Sequence, residues 1–159
     1  KKTNELTACV LNRPRHNKII SDLKSQDVNI KLITDGDVSG AIQVVDPLSN
    51  VDIYMGIGGG PEGVLAAAAL DCLGGQMHTR LVLDKKQSER ALRLGIKDLK
   101  KKYRIRDMIK GDVMFCATAI TDGDLVNGIK EDVNNYIATT YALHKELSIL
   151  KKISSKIQK

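Results

Sequence analysis

The chain has 159 residues, enough for one domain with a core of its own, and its 42% hydrophobic and 28% charged residues exclude both a disordered and a membrane-spanning chain. No apolar run approaches the ~20 residues that a spanning helix needs, and no signal-peptide pattern follows Lys1. The net charge of +6 invites a nucleic-acid reading, but aromatic residues make only 3% of the chain, so bases would find few stacking platforms.

The chain repeats strand, loop and helix. "LTACVL" (6–11) is a β-rich run, followed by "RPRH" and by "NKIISDLK", whose Ile19, Ile20 and Leu23 have helical spacing. "VNIKLIT" (28–34) is the second strand and ends in "DGDVSG". A short helix, "AIQVV", stops before Asp46-Pro47. "VDIYMG" (51–56) is the third strand and feeds "GIGGGPEGVLAAAAL" (56–70), a glycine loop running into an alanine-rich helix that ends at Gly74-Gly75.

"MHTRLVLD" (77–84) is a fourth strand, and residues 88–102 are expected to be one amphipathic helix with Leu92, Ile96 and Leu99 on a stripe. The lysines at 100–102 would close that helix, where the dipole favours cations. "DVMFCATAIT" (112–121) is a fifth strand, apolar enough to be central, and the following "DGD" at Asp122–Asp124 reads as a surface turn. From Tyr136 the pattern fits either strand or helix. The alternation as a whole predicts an α/β fold, a mostly parallel central sheet flanked by helices.

Cys9, Cys72 and Cys116 are far apart and odd in number, which points to a reduced, cytoplasmic protein. His16, His78 and His144 lack metal-ligand spacing and read as ordinary surface or core histidines. The basic stretches "KDLKKKYRIR" (97–106) and "LKKISSKIQK" (150–159) read first as solvated faces and second as attraction for an anionic small substrate. Neither nucleic acid nor membrane is expected as a partner.

Parallel sheets bind ligands beyond the carboxyl ends of their strands. Here that edge would carry Arg13, Pro14 and Arg15 after the first strand, Asp35, Gly36 and Asp37 after the second, and the glycines with Glu62 after the third. Pro14 biases Arg13 toward an extended backbone, in which both guanidiniums would face one anion. The Asp35–Asp37 turn could receive sugar hydroxyls or a hard cation, or Asp37 could simply cap the next helix. In the glycine loop, Pro61 suits a first helical position, and Glu62 in the first turn is a good oxygen ligand for Mg²⁺ or Mn²⁺.

A dinucleotide domain of an NAD-dependent oxidoreductase is the alternative. Gly58, Gly60 and Gly63 match the G-x-G-x-x-G fingerprint, and Asp84 ends the next strand about 20 residues later. Against it, the Glu62 charge would face a pyrophosphate that wants positive surroundings.

Taken together, "RPRH" (13–16), "TDGDV" (34–38), "GIGGGPEGVLAAAAL" (56–70) and "ATAITDGDL" (117–125) resemble the class II fructose-1,6-bisphosphatases of bacteria, in order and over essentially the whole chain. The resemblance is to the C-terminal half of that family only. It implies the layered αβαβα sugar-phosphatase fold shared with inositol monophosphatases, with residues 1–159 as its substrate-binding half and with strands in the tail. The implied activity is metal-dependent hydrolysis of the 1-phosphate of fructose 1,6-bisphosphate in gluconeogenesis, with Mn²⁺ or Mg²⁺ and with sedoheptulose 1,7-bisphosphate as a second substrate to consider. Glu62 would be the catalytic metal ligand, and Arg13, Pro14, Arg15, Asp35, Gly36, Asp37 and Gly59 would bind substrate. The N-terminal half, with most of the family's metal carboxylates, lies outside this chain. The intact protein is therefore expected to be a homo-oligomeric phosphatase and the fragment alone inactive.

Overall fold

The computed structural model describes residues 1–159 and is α/β. β1 (Thr7–Leu11) is the middle strand of a parallel three-stranded sheet, with β2 (Asn29–Ile33) on one side and β3 (Ile53–Tyr54) on the other. Ala8, Cys9 and Val10 are fully buried, because a central strand is covered on both faces. Burial also pushes the Cys9 thiol above its ordinary range.

Helix α1 (Asn17–Ser25) joins β1 to β2, and α2 (Asp37–Ile42) leads from β2 toward β3. α2 lies close on the sheet at Gly40, where a Cβ would stand 2.8 Å from both Ile33 and Tyr54. Helix α3 (Gly60–Cys72) follows the glycine loop and buries Ala66, Ala67, Ala69 and Leu70. Its small side chains let α2 pack against it. It stops at Gly74, left-handed at φ 71°, and the Gly75 N–H returns to the Leu70 carbonyl at 2.8 Å.

The second half departs from the expected parallel order. β4 (His78–Arg80) joins no strand of the first sheet and pairs only with β5 (Lys102–Arg104), antiparallel. Between them α4 covers Lys85–Arg93, not 88–102. Gly95, left-handed at φ 90°, ends it, and Lys102 lies in a strand rather than at a helix terminus. A short helix α5 (Ile105–Met108) follows and packs against α3.

β6 (Met114–Thr118), expected to be central, is instead an edge strand of a separate antiparallel sheet, with three of its five residues exposed. It pairs with β8 (Asn135–His144), which also pairs with β7 (Lys130–Glu131) and β9 (Ile149–Gln158). The tail is therefore a long hairpin of strands. Phe115, Tyr141 and Leu143 of this sheet pack with Ile42 and Ala69 into the second core, so α2 and α3 lie between the two sheets.

The second DGD does more than turn. Asp122 accepts the Gly128 N–H at 2.8 Å, while Asp124 accepts from Gln43 at 2.9 Å and pairs with Lys31 at 3.3 Å. Asp124 thus ties the antiparallel sheet to the parallel one, a role that a surface turn does not require. No helix is long and apolar enough to cross a membrane.

Candidate active site

Three parallel strands deliver three loops to one edge, and those loops interlock. Beyond β1, Arg13 is extended (φ −135°, ψ 146°), and Pro14–His16 then form a 3₁₀ turn. The extended i, i+2 relation is lost in this three-residue turn, and the two arginines take separate partners. Arg13 reaches Asp35, in the loop after β2, at 2.7 Å. Arg15 donates from Nε to the Ile57 carbonyl, in the loop after β3, at 2.7 Å.

His16 holds these loops from beneath. It is fully buried; Nδ1 lies 2.8 Å from the Leu11 carbonyl and Nε2 lies 2.9 Å from the Ile57 N–H. A carbonyl only accepts and an N–H only donates, so Nδ1 carries the proton and Nε2 receives. The Ile57 carbonyl is then served by Arg15. Nothing in the spacing of the histidines revealed this role; its one trace was adjacency to the arginine turn.

The acidic side follows the same pattern. Gly36, left-handed at φ 79°, precedes α2, and Asp37 is the first residue of that helix, accepting the Val38 N–H at 2.9 Å. Its Oδ2 also lies where a Cβ on Gly58 would be 3.4 Å away, so the loops after β2 and β3 touch. Beneath them, burial and then the Asp37 carboxylate push the Tyr54 hydroxyl up to about 12.

Gly59 caps α3 with extended backbone, Pro61 is in the first turn, and Glu62 follows. The Glu62 carboxylate folds back over Gly59 so closely that a Cβ there would overlap Oε2. The Glu62 carboxylate therefore occupies the space that the missing Gly59 side chain leaves free. Arg15, Asp35, Gly58, Gly59 and Glu62 are all exposed, so the edge is open to ligand. The Arg13–Asp35 pair, exposed as it is, stabilises by less than ~1 kcal/mol and is easily exchanged for another anion.

The oxygen donor of Glu62 and the cradle it forms with Gly59 fit a hard divalent cation in kind. They do not complete a site: no group of three or more His, Cys, Asp or Glu side chains converges anywhere in the chain. The dinucleotide alternative loses its ribose-binding acid. Asp84 is the N-cap of α4, accepting the Gln87 N–H at 2.7 Å, and its preceding strand is not a neighbour of β3.

Comparison with known proteins points to one family. A family model described as bacterial fructose-1,6-bisphosphatase, glpX-encoded, matches residues 1–157. A class 2 fructose-1,6-bisphosphatase of Haemophilus influenzae is 34% identical over 98% of this chain and 51% of its own length. A class 2 fructose-1,6-bisphosphatase of Escherichia coli, and likewise one of Shigella flexneri, is 40% identical over 90% of this chain and 46% of its own length. The chain thus spans about half the length of the curated relatives it matches.

Proposed function

The chain belongs to the bacterial, glpX-encoded fructose-1,6-bisphosphatase family, and from that premise we propose that the whole protein hydrolyses the 1-phosphate of fructose 1,6-bisphosphate to fructose 6-phosphate and inorganic phosphate. The observation that carries this reading is the meeting of the arginine turn, the acidic turn and the Glu62 glycine loop at one open edge. Arginine forks suit phosphate oxygens. Arg13 and Arg15, each held only by an exposed partner, bind a phosphate of the substrate, and Asp35 and Asp37 accept hydrogen bonds from sugar hydroxyls.

Gly59 admits the substrate to the backbone, and Glu62 holds a divalent cation, Mn²⁺ or Mg²⁺, beside the phosphate. When bound, that cation neutralises charge on the phosphoryl oxygens and acidifies water. Residues 1–159 act as the substrate-binding half, and the remaining length supplies the other carboxylates. One glutamate holds too few of a cation's ligands, so the 159-residue piece alone is inactive.

The test is direct. Full-length protein with Mn²⁺ releases inorganic phosphate from fructose 1,6-bisphosphate and does not bind NAD. Tight NAD binding without phosphate release overturns the reading. A parallel assay with sedoheptulose 1,7-bisphosphate establishes whether the site takes the longer sugar.

A further inference from the structure

The basic stretch at 97–106 takes no part in the edge of the parallel sheet. Its role follows from the β4–β5 ribbon, in which His78 lies opposite Arg104 and Arg80 opposite Lys102. Alternation puts these four side chains on one face, and all four are exposed, whereas Thr79 and Tyr103, pointing the other way, are half-buried. Arg106 of α5 stands beside the end of the ribbon. His78, Arg104 and Arg106, with Ile105 and residues 75–77, line a cleft of about 390 Å³.

No ion pair within the chain engages this face: the eight do not include His78, Arg80, Lys102, Arg104 or Arg106. Asp107, on α5 itself, is already committed: it accepts the Arg104 backbone N–H at 2.8 Å and pairs with Lys101 at 3.0 Å. Like charges directly opposite one another destabilise a strand pair, and a ribbon of two short strands is marginal to begin with. Arg80 and Lys102 are such a pair, and an anion held on this face would lessen their repulsion.

We propose that this cleft is a second anion site, sharing no residue with the parallel-sheet edge, that binds a small phosphate-bearing molecule. Its volume is in the range of small-ligand sites. Two arginine forks and a histidine are suited to phosphate oxygens. A nucleic-acid strand would want an aromatic platform. The one aromatic residue of the ribbon, Tyr103, faces away from the basic side, with the Lys101 ammonium 5.0 Å from its ring centre.

Pyrophosphate, titrated calorimetrically into full-length protein in metal-free, low-salt buffer, is the probe. Wild-type protein and Arg15→Ala bind it in the cleft and melt at a higher temperature in its presence. Compared on the Arg15→Ala background, Arg104→Gln/Arg106→Gln loses this binding by on the order of tenfold or more per arginine, and the rise in melting temperature with pyrophosphate shrinks accordingly. Should that variant fail to fold, Arg80→Gln and Lys102→Gln, on the same exposed face, show the same weakening in a milder form. Unchanged pyrophosphate binding in these variants overturns the proposal. So does a wild-type face that binds no pyrophosphate but retards an oligonucleotide, or whose variants instead change the subunit count on a sizing column. None of these readouts depends on phosphatase activity, so failure here is separable from failure of the proposed reaction.

Discussion

His16 and Ile57 are joined by a half-buried hydrogen bond, the Ile57 N–H donating to Nε2 at 2.9 Å, and this bond fastens the loop after β3 to the turn after β1. The imidazole is therefore a positioning group for the glycine loop, with its other nitrogen anchored on the Leu11 carbonyl at 2.8 Å.

His16→Ala removes both bonds and leaves a small buried cavity. Two bonds at roughly 1 kcal/mol each, one buried and one half-buried, with the cavity added, come to about 2–4 kcal/mol. Urea denaturation of the full-length protein measures this. A loss below ~0.5 kcal/mol would mean that the loops hold their places without the ring.

Gly40→Ala tests the close approach of α2 to the sheet. The added methyl would stand 2.8 Å from Ile33 and Tyr54, inside a packed layer. The expected cost is about 1–3 kcal/mol, again read by denaturation. A neutral outcome would show that α2 can lift away freely.

Tyr54 gives a pH dependence with a definite sign. Its hydroxyl ionises at about 12 in the fold against 10 for an unperturbed tyrosine, chiefly because burial disfavours the phenolate. The folded state thus favours the neutral form. That contribution is complete below pH 10 and is lost as pH rises through 12. Tyr54→Phe cannot ionise, so its stability should fall less steeply than that of wild type across this window. Parallel melting curves for the two proteins from pH 9 to 12 would contradict the assignment.

Much of the first half was legible in the sequence because each signal was local. β-rich composition marked β1 and β2, Pro61 and the glycines marked the start of α3, and Gly74-Gly75 marked its end. The second half was harder, since alternation encodes which face a side chain takes and not which way its strand runs. Nothing in "MHTR" or "DVMFCATAIT" says that its partner is antiparallel. The helix expected over 88–102 overran because its apolar spacing outweighed Gly95, the local stop. At the edge, the residue types stood out in the sequence, but their connections did not. Arg13 to Asp35 and Arg15 to Ile57 join positions 22 and 42 residues apart, which only the folded sheet brings together.

Gly59→Ala probes the space over Gly59 that the Glu62 carboxylate occupies. Gly59 has an ordinary φ of −70°, so alanine adds no backbone strain, but its methyl displaces the Glu62 carboxylate. Full-length Gly59→Ala should melt close to wild type while its phosphate release falls at least tenfold, the loss of one charge-assisted contact. Full activity would mean that Glu62 need not lie over Gly59.

Glu62→Gln in the full-length protein bears most directly on the central claim. The amide keeps the shape of the side chain and removes the charge that holds a cation. Phosphate release from fructose 1,6-bisphosphate, followed across a Mn²⁺ titration, should show turnover lowered on the order of a hundredfold or more, with the melting temperature nearly unchanged because Glu62 is exposed. Wild-type turnover with a wild-type metal requirement would contradict the account and leave Glu62 as a residue that only begins a helix.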